Sequence, residues 1–150
     1  MSALFAFLHH LAAFALVATL VLEFVLIKGE LDAKAARRLQ FTDLVFGLSS
    51  GVVLVVGLVR VFYFEKGASY YLYSAPFIAK LLLFLAVGLL SIVPTMEFLS
   101  WSKALKQGRS PSLDAGKLRT LRAVMHLELA GIVLILLCAA LMAHGVGHFG

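Results

Sequence analysis

Charge and cysteine are scarce in this chain. Only 14% of its 150 residues are Asp, Glu, Lys or Arg, where a soluble domain carries about a quarter. The single cysteine, Cys138, has no intrachain disulfide partner, and without a C-x-x-C-H run there is no site for covalently attached haem. There is also no G-x-S-x-G, no H-E-x-x-H, no Walker sequence and no tight Cys/His cluster, which excludes the usual hydrolase and nucleotide-driven chemistries. No Lys or Arg precedes the first apolar run, so it lacks the basic start of a secretory signal and reads as a retained helix.

What fills the chain instead is hydrocarbon-compatible surface: 62% hydrophobic residues and a mean hydropathy of +1.01. Four apolar stretches, about 3–27, 41–64, 77–101 and 119–143, are each long enough to cross a bilayer. They predict an all-α, polytopic four-transmembrane-helix bundle, a single domain over 1–150 with no length left for a soluble catalytic domain. Pro94 predicts a kink late in the third span, and Asp114 a cap for the fourth helix.

The net charge of +5 does not point to nucleic acid. Ten of the thirteen Lys and Arg residues sit in two segments, Lys28 to Arg38 and Lys103 to Arg122, which flank spans and suit lipid headgroups. By the positive-inside rule both segments face the cytoplasm, which places both termini outside and the protein in a bacterial inner (plasma) membrane.

Ionisable residues within the spans are the best pointer to function, because each costs roughly 2.5–3.5 kcal/mol in hydrocarbon even on lenient scales. Depth divides them. His9, His10, Arg60, Lys80 and His144 fall toward the termini, where a basic cavity would attract a small anion. Glu23, Asp43, Glu97, His126 and Glu128 fall in the other half beside Arg119 and Arg122, as a buried ion-pair network or proton relay. The plainer alternative is that Arg60, Lys80 and Asp43 snorkel to the interface and that His126 hydrogen-bonds Glu23 or Glu97.

Helical phase adds detail. His9 and Glu23 fall within about 40° of each other, so His10 leaves that face. His126 and His144 share one stripe with Arg119 and Arg122, and Glu128 lies about 200° away from His126. A fourth helix with both faces polar raises the expectation of a homodimer. In the second span Gly47-Leu48-Ser49-Ser50-Gly51 is a small-x-x-x-small pattern suited to close helix packing.

Intramembrane histidine beside cations suggests b-type haem or porphyrin. His10 and His126 are the candidate metal ligands, and His9, Arg60, Lys80 and His144 complete the cofactor set. In near-vertical spans His10 and His126 differ in depth by about 16 Å, so one iron held by one ligand fits better than a bis-histidine clamp. The leading expectation is a haem-binding membrane oxidoreductase with an electron-transfer partner. The alternative is a cofactor-free transport or structural component built on Glu23, Asp43, Glu97, Arg122 and Glu128.

The runs Leu8-His9-His10-Leu11, Gly57-Leu58-Val59-Arg60-Val61-Phe62-Tyr63-Phe64-Glu65-Lys66-Gly67, Phe77-Ile78-Ala79-Lys80 and Ser91-Ile92-Val93-Pro94-Thr95 resemble a bacterial family of predicted membrane proteins, domain of unknown function 2214. That resemblance spans nearly the whole chain and implies no established activity. The architecture is also distantly similar to HemJ-type protoporphyrinogen oxidases, which bind haem through histidines, and to CopD-type copper-resistance proteins. The shared features are a first-helix histidine, His9 or His10, and a cation opening the third helix, Lys80.

Overall fold

The computed structural model describes residues 1–149, and every regular element among them is helical. Helix α1 is Ser2–Leu26, and α2 is Ala33–Val59, prolonged by a π-helical turn at Arg60–Phe64. The short α3, Ala68–Leu72, leads into α4, Ala75–Ser100; α5, Ser102–Lys106, and α6, Ala115–Ala143, follow. Four helical stretches are long and apolar enough to cross a membrane: Ser2–Leu26, Ala33–Phe64, Ala75–Lys106 and Ala115–Ala143.

Two aspartates set where helices begin. Asp32 Oδ1 accepts the Ala35 N–H at 2.7 Å, and this cap starts α2 well ahead of residue 41. Lys34, Arg37 and Arg38 therefore ride on a helix rather than in a connector. Asp114 Oδ1 accepts the Lys117 N–H at 2.7 Å and starts α6 in the same way. Asp114→Ala is expected to lower stability by about 0.5–2 kcal/mol. Detergent-titration unfolding followed by the fluorescence of the only tryptophan, Trp101, measures this, and an unchanged midpoint refutes it.

The long helices pair as two hairpins, α1 along α2 and α4 along α6, with a narrower seam between the pairs. Glycine permits the closest approaches. A Cβ at Gly131 would fall 2.5 Å from Val87 Cγ2, and one at Gly57 would fall 3.1 Å from His9 Cε1. The Gly47 and Gly51 pattern does not serve this purpose within the chain, since a Cβ at either meets nothing within 4 Å.

The interior is layered along the bundle. Midway lies an apolar layer of Leu16, Leu20, Phe46, Val87 and Ile132. Toward the connector rim, where α1 meets α2 and α4 meets α6, lies a second one that includes Ile27, Leu39, Phe98, Trp101, Leu121 and Met125. At the opposite rim the C-terminal tail folds back: Gly147 carbonyl accepts the Ala75 N–H at 3.0 Å, and Phe149 N–H donates to Tyr73 carbonyl at 2.9 Å. Gly147 has φ +77, a conformation that side chains disfavour.

Candidate functional site

Two polar layers alternate with these apolar ones. The first, near the terminal rim, brings together His9 of α1, Arg60 of the π-turn and Lys80 of α4, which lie within electrostatic reach of one another. His9 is half-buried, and its ring fills the notch left by Gly57, one turn from the Val53 carbonyl.

This layer is less basic than the sequence suggests. The π-turn carries an Arg60 carbonyl to Glu65 N–H bond of 2.9 Å, which brings residues five apart to one side. Arg60 then forms an ion pair with Glu65 at 2.5 Å, and the Tyr71 hydroxyl donates to the other Glu65 oxygen at 3.3 Å. Burial, and then the neighbouring Glu65 carboxylate, pushes the Tyr71 hydroxyl above its ordinary pKa. Glu65 and Tyr71 were not among the expected site residues, nor was His148, whose ring centroid lies 4.3 Å from that of Tyr70. Only the π-turn and the folded-back tail place them there.

The other histidines do not join it. His10 is exposed on the helix surface, its Nδ1 bonded to Ala6 carbonyl at 2.6 Å. His144 is exposed at the end of α6. His126 is exposed too, with Nδ1 3.0 Å from Arg122 carbonyl and its ring edge-on to Phe24 at 4.5 Å. Phe24 lies about 21 Å along α1 from His10 at 1.5 Å per residue, so His10 and His126 do not share a metal. Among the described residues no three His, Cys, Asp or Glu side chains converge closely enough to hold a metal ion.

The second polar layer is acidic and lies between the two apolar ones. Glu23 of α1, Asp43 of α2 and Glu128 of α6 lie within electrostatic reach of one another. They are 1%, 8% and 1% exposed. The remaining long helix, α4, contributes Thr95, whose hydroxyl donates to Asp43 Oδ1 at 2.9 Å. Glu23 Oε1 and both Glu128 oxygens are buried without a hydrogen-bond partner. Among the described residues the ion pairs are Arg60 with Glu65 and Lys117 with Glu97, so no cation stands within 4.0 Å of the three acids.

That corrects the expected network at two points. Arg122 does not pair with Glu23; its Nη2 lies 3.5 Å from Ile27 carbonyl. Glu97 lies outside the acidic layer, accepting from Trp101 Nε1 at 3.1 Å and facing Lys117 at 3.7 Å. Arg122 and Lys117 sit early in α6, where a long side chain reaches interfacial water or carbonyls more cheaply than the bundle interior.

A helical bundle with four apolar spans and ionisable layers enclosed between them defines an integral membrane protein with an intramembrane polar site. The chain belongs to the family described as Predicted membrane protein (DUF2214), whose model matches residues 1–147. No curated protein and no solved structure matches it, so nothing ties it to HemJ-type or CopD-type proteins.

Proposed function

We propose that this protein handles protons within the membrane, as a small transport component whose binding site is Glu23, Asp43 and Glu128. The observation that carries this reading is the buried acidic layer without a counter-cation and with three orphaned carboxyl oxygens. Three ionised carboxylates cannot sit together in a water-excluded layer, so the group has to hold protons. Intramembrane acids facing the bundle interior are the groups from which proton relays are built.

The apolar layers on either side block water from both rims, so proton exchange requires one of them to open. The narrow seam between the α1–α2 and α4–α6 hairpins is where that opening costs least packing. Glu128 stands on one hairpin and Glu23 and Asp43 on the other, so movement at the seam alters the distance between the acids directly. Near the terminal rim, His9 is the next ionisable group along α1 that is not exposed. With the basic connectors in the cytoplasm, that rim faces outward.

The haem reading is weaker on the same geometry. His9 alone stands beside Arg60 and Lys80, and its ring is already packed against Gly57. An absorbance spectrum with and without added hemin tests it directly.

For the proton reading, purified protein is reconstituted in vesicles holding a pH-sensitive dye and given an acid pulse. Wild type is expected to carry proton flux above protein-free vesicles, and Glu128→Gln to fall to their level. Wild-type flux equal to that of protein-free vesicles overturns the proposal.

A further inference from the structure

A groove of about 770 Å³ opens on the outer surface of the first hairpin at the connector rim. It lies well away from the His9, Arg60 and Lys80 layer, and on the outer side of the helices whose inner faces carry Glu23 and Asp43. Its apolar wall is formed by Leu22 and Leu26 of α1 and Phe41 of α2, and its rim by Lys34, Arg37 and Arg38. No acidic side chain lines it.

We propose that this groove holds an anionic phospholipid, with its phosphate on the three cations and the upper part of an acyl chain against Leu22, Leu26 and Phe41. Two observations argue for a lipid. The charge complementarity is one-sided: Lys34 and Arg38 have no ion-pair partner among the described residues, and the nearby Asp32 carboxylate is engaged in capping Ala35. The apolar wall is also lipid-facing, with Leu22 47% and Phe41 68% exposed.

Arg37 is held in place for this role. Its Nη2 donates to Leu105 carbonyl at 3.0 Å, which fixes the guanidinium between the first hairpin and α5 without neutralising it. The cations occupy the first turns of α2, the level at which a spanning helix meets headgroups. Basic pockets at such a level take lipid phosphates, each Lys or Arg adding to the attraction. The proposal is independent of the acidic layer.

Native mass spectrometry of the full chain in detergent, titrated with phosphatidylglycerol, phosphatidylcholine or inorganic phosphate, tests it. Phosphatidylglycerol is expected to bind as a discrete one-to-one adduct, with phosphatidylcholine and inorganic phosphate much weaker. The Lys34→Gln/Arg38→Gln variant is expected to weaken the phosphatidylglycerol adduct about tenfold to thirtyfold. Both side chains are exposed, and Arg37 is left in place. Lys103→Gln/Lys106→Gln, which removes the same charge from α5 outside the groove, is expected to leave it unchanged, and Lys34→Arg/Arg38→Lys to retain it.

Equal binding of phosphatidylcholine overturns the proposal. So does a loss of the same size in the α5 variant, which would reduce the effect to net charge. Tight binding of inorganic phosphate alone would make this a soluble-anion site, and it too refutes the lipid.

Discussion

Replacing Gly131 with leucine is expected to unfold the second hairpin, leaving little protein that shows the native Trp101 emission in mild detergent. A Cβ at this position would stand 2.5 Å from Val87 Cγ2. Valine is branched at Cβ and cannot swing that methyl away without moving its other branch. Even Gly131→Ala therefore forces α4 and α6 apart, at about 1–3 kcal/mol, the usual cost of overfilling a packed interior. The larger side chain adds atoms for which the interface has no space. Compensation is specific: Val87→Ala removes the clashing methyl and is expected to recover most of the loss in a Gly131→Ala background. A double-mutant cycle followed by detergent-titration unfolding measures that coupling. If the two substitutions add independently, the close approach at Gly131 does not hold α4 against α6.

The second large effect is expected from neutralising the whole acidic layer. Glu23→Gln, Asp43→Asn and Glu128→Gln together keep the shapes of the side chains, and the amide oxygen introduced by Asp43→Asn can still accept the Thr95 hydrogen bond. Removing the uncompensated charge that this layer carries whenever one of its members ionises is expected to stabilise the bundle, by less than the roughly 1–4 kcal/mol seen when buried ionic groups are replaced by well-packed hydrophobic residues, because the new amide N–H groups also need partners. Flux after an acid pulse is expected to vanish in the same variant. Opposite signs for stability and transport identify a layer kept for function at a structural cost. If the triple variant is less stable than wild type, the acids serve to hold the helices together, and the transport reading loses its basis.

Much of this was legible in the sequence because hydrocarbon leaves a chain few options. The apolar runs announced four spanning helices, and phase arithmetic separated Glu128 from His126, which the structure places buried and exposed respectively. The site was harder to read. Glu23, Asp43 and Glu128 were each recognisable as buried acids, but their gathering depends on how two hairpins dock, and no local pattern encodes that. Pairing arginine with glutamate by depth failed for Arg122 because a long side chain at a span end is free to reach toward the interface. The Arg60–Glu65 pair needed the π-turn, which an ideal helical wheel does not contain. The most conspicuous glycine pattern, Gly47 with Gly51, faces out of the bundle, while single glycines without any motif, Gly57 and Gly131, mark the tight packing.

The division into two hairpins also bears on biogenesis. α1 and α2 are synthesised and inserted first, and they bring Glu23 and Asp43 into the bilayer before any of α6 exists. Contacts between helices adjacent in the chain form early because little loop entropy is lost in closing them. The newborn first hairpin thus carries two acids facing a surface not yet covered, and the arrival of Glu128 on the second hairpin both buries them and adds a third like group. Docking is consequently the step that hides the carboxyl groups from lipid and water, since only the complete bundle buries all three.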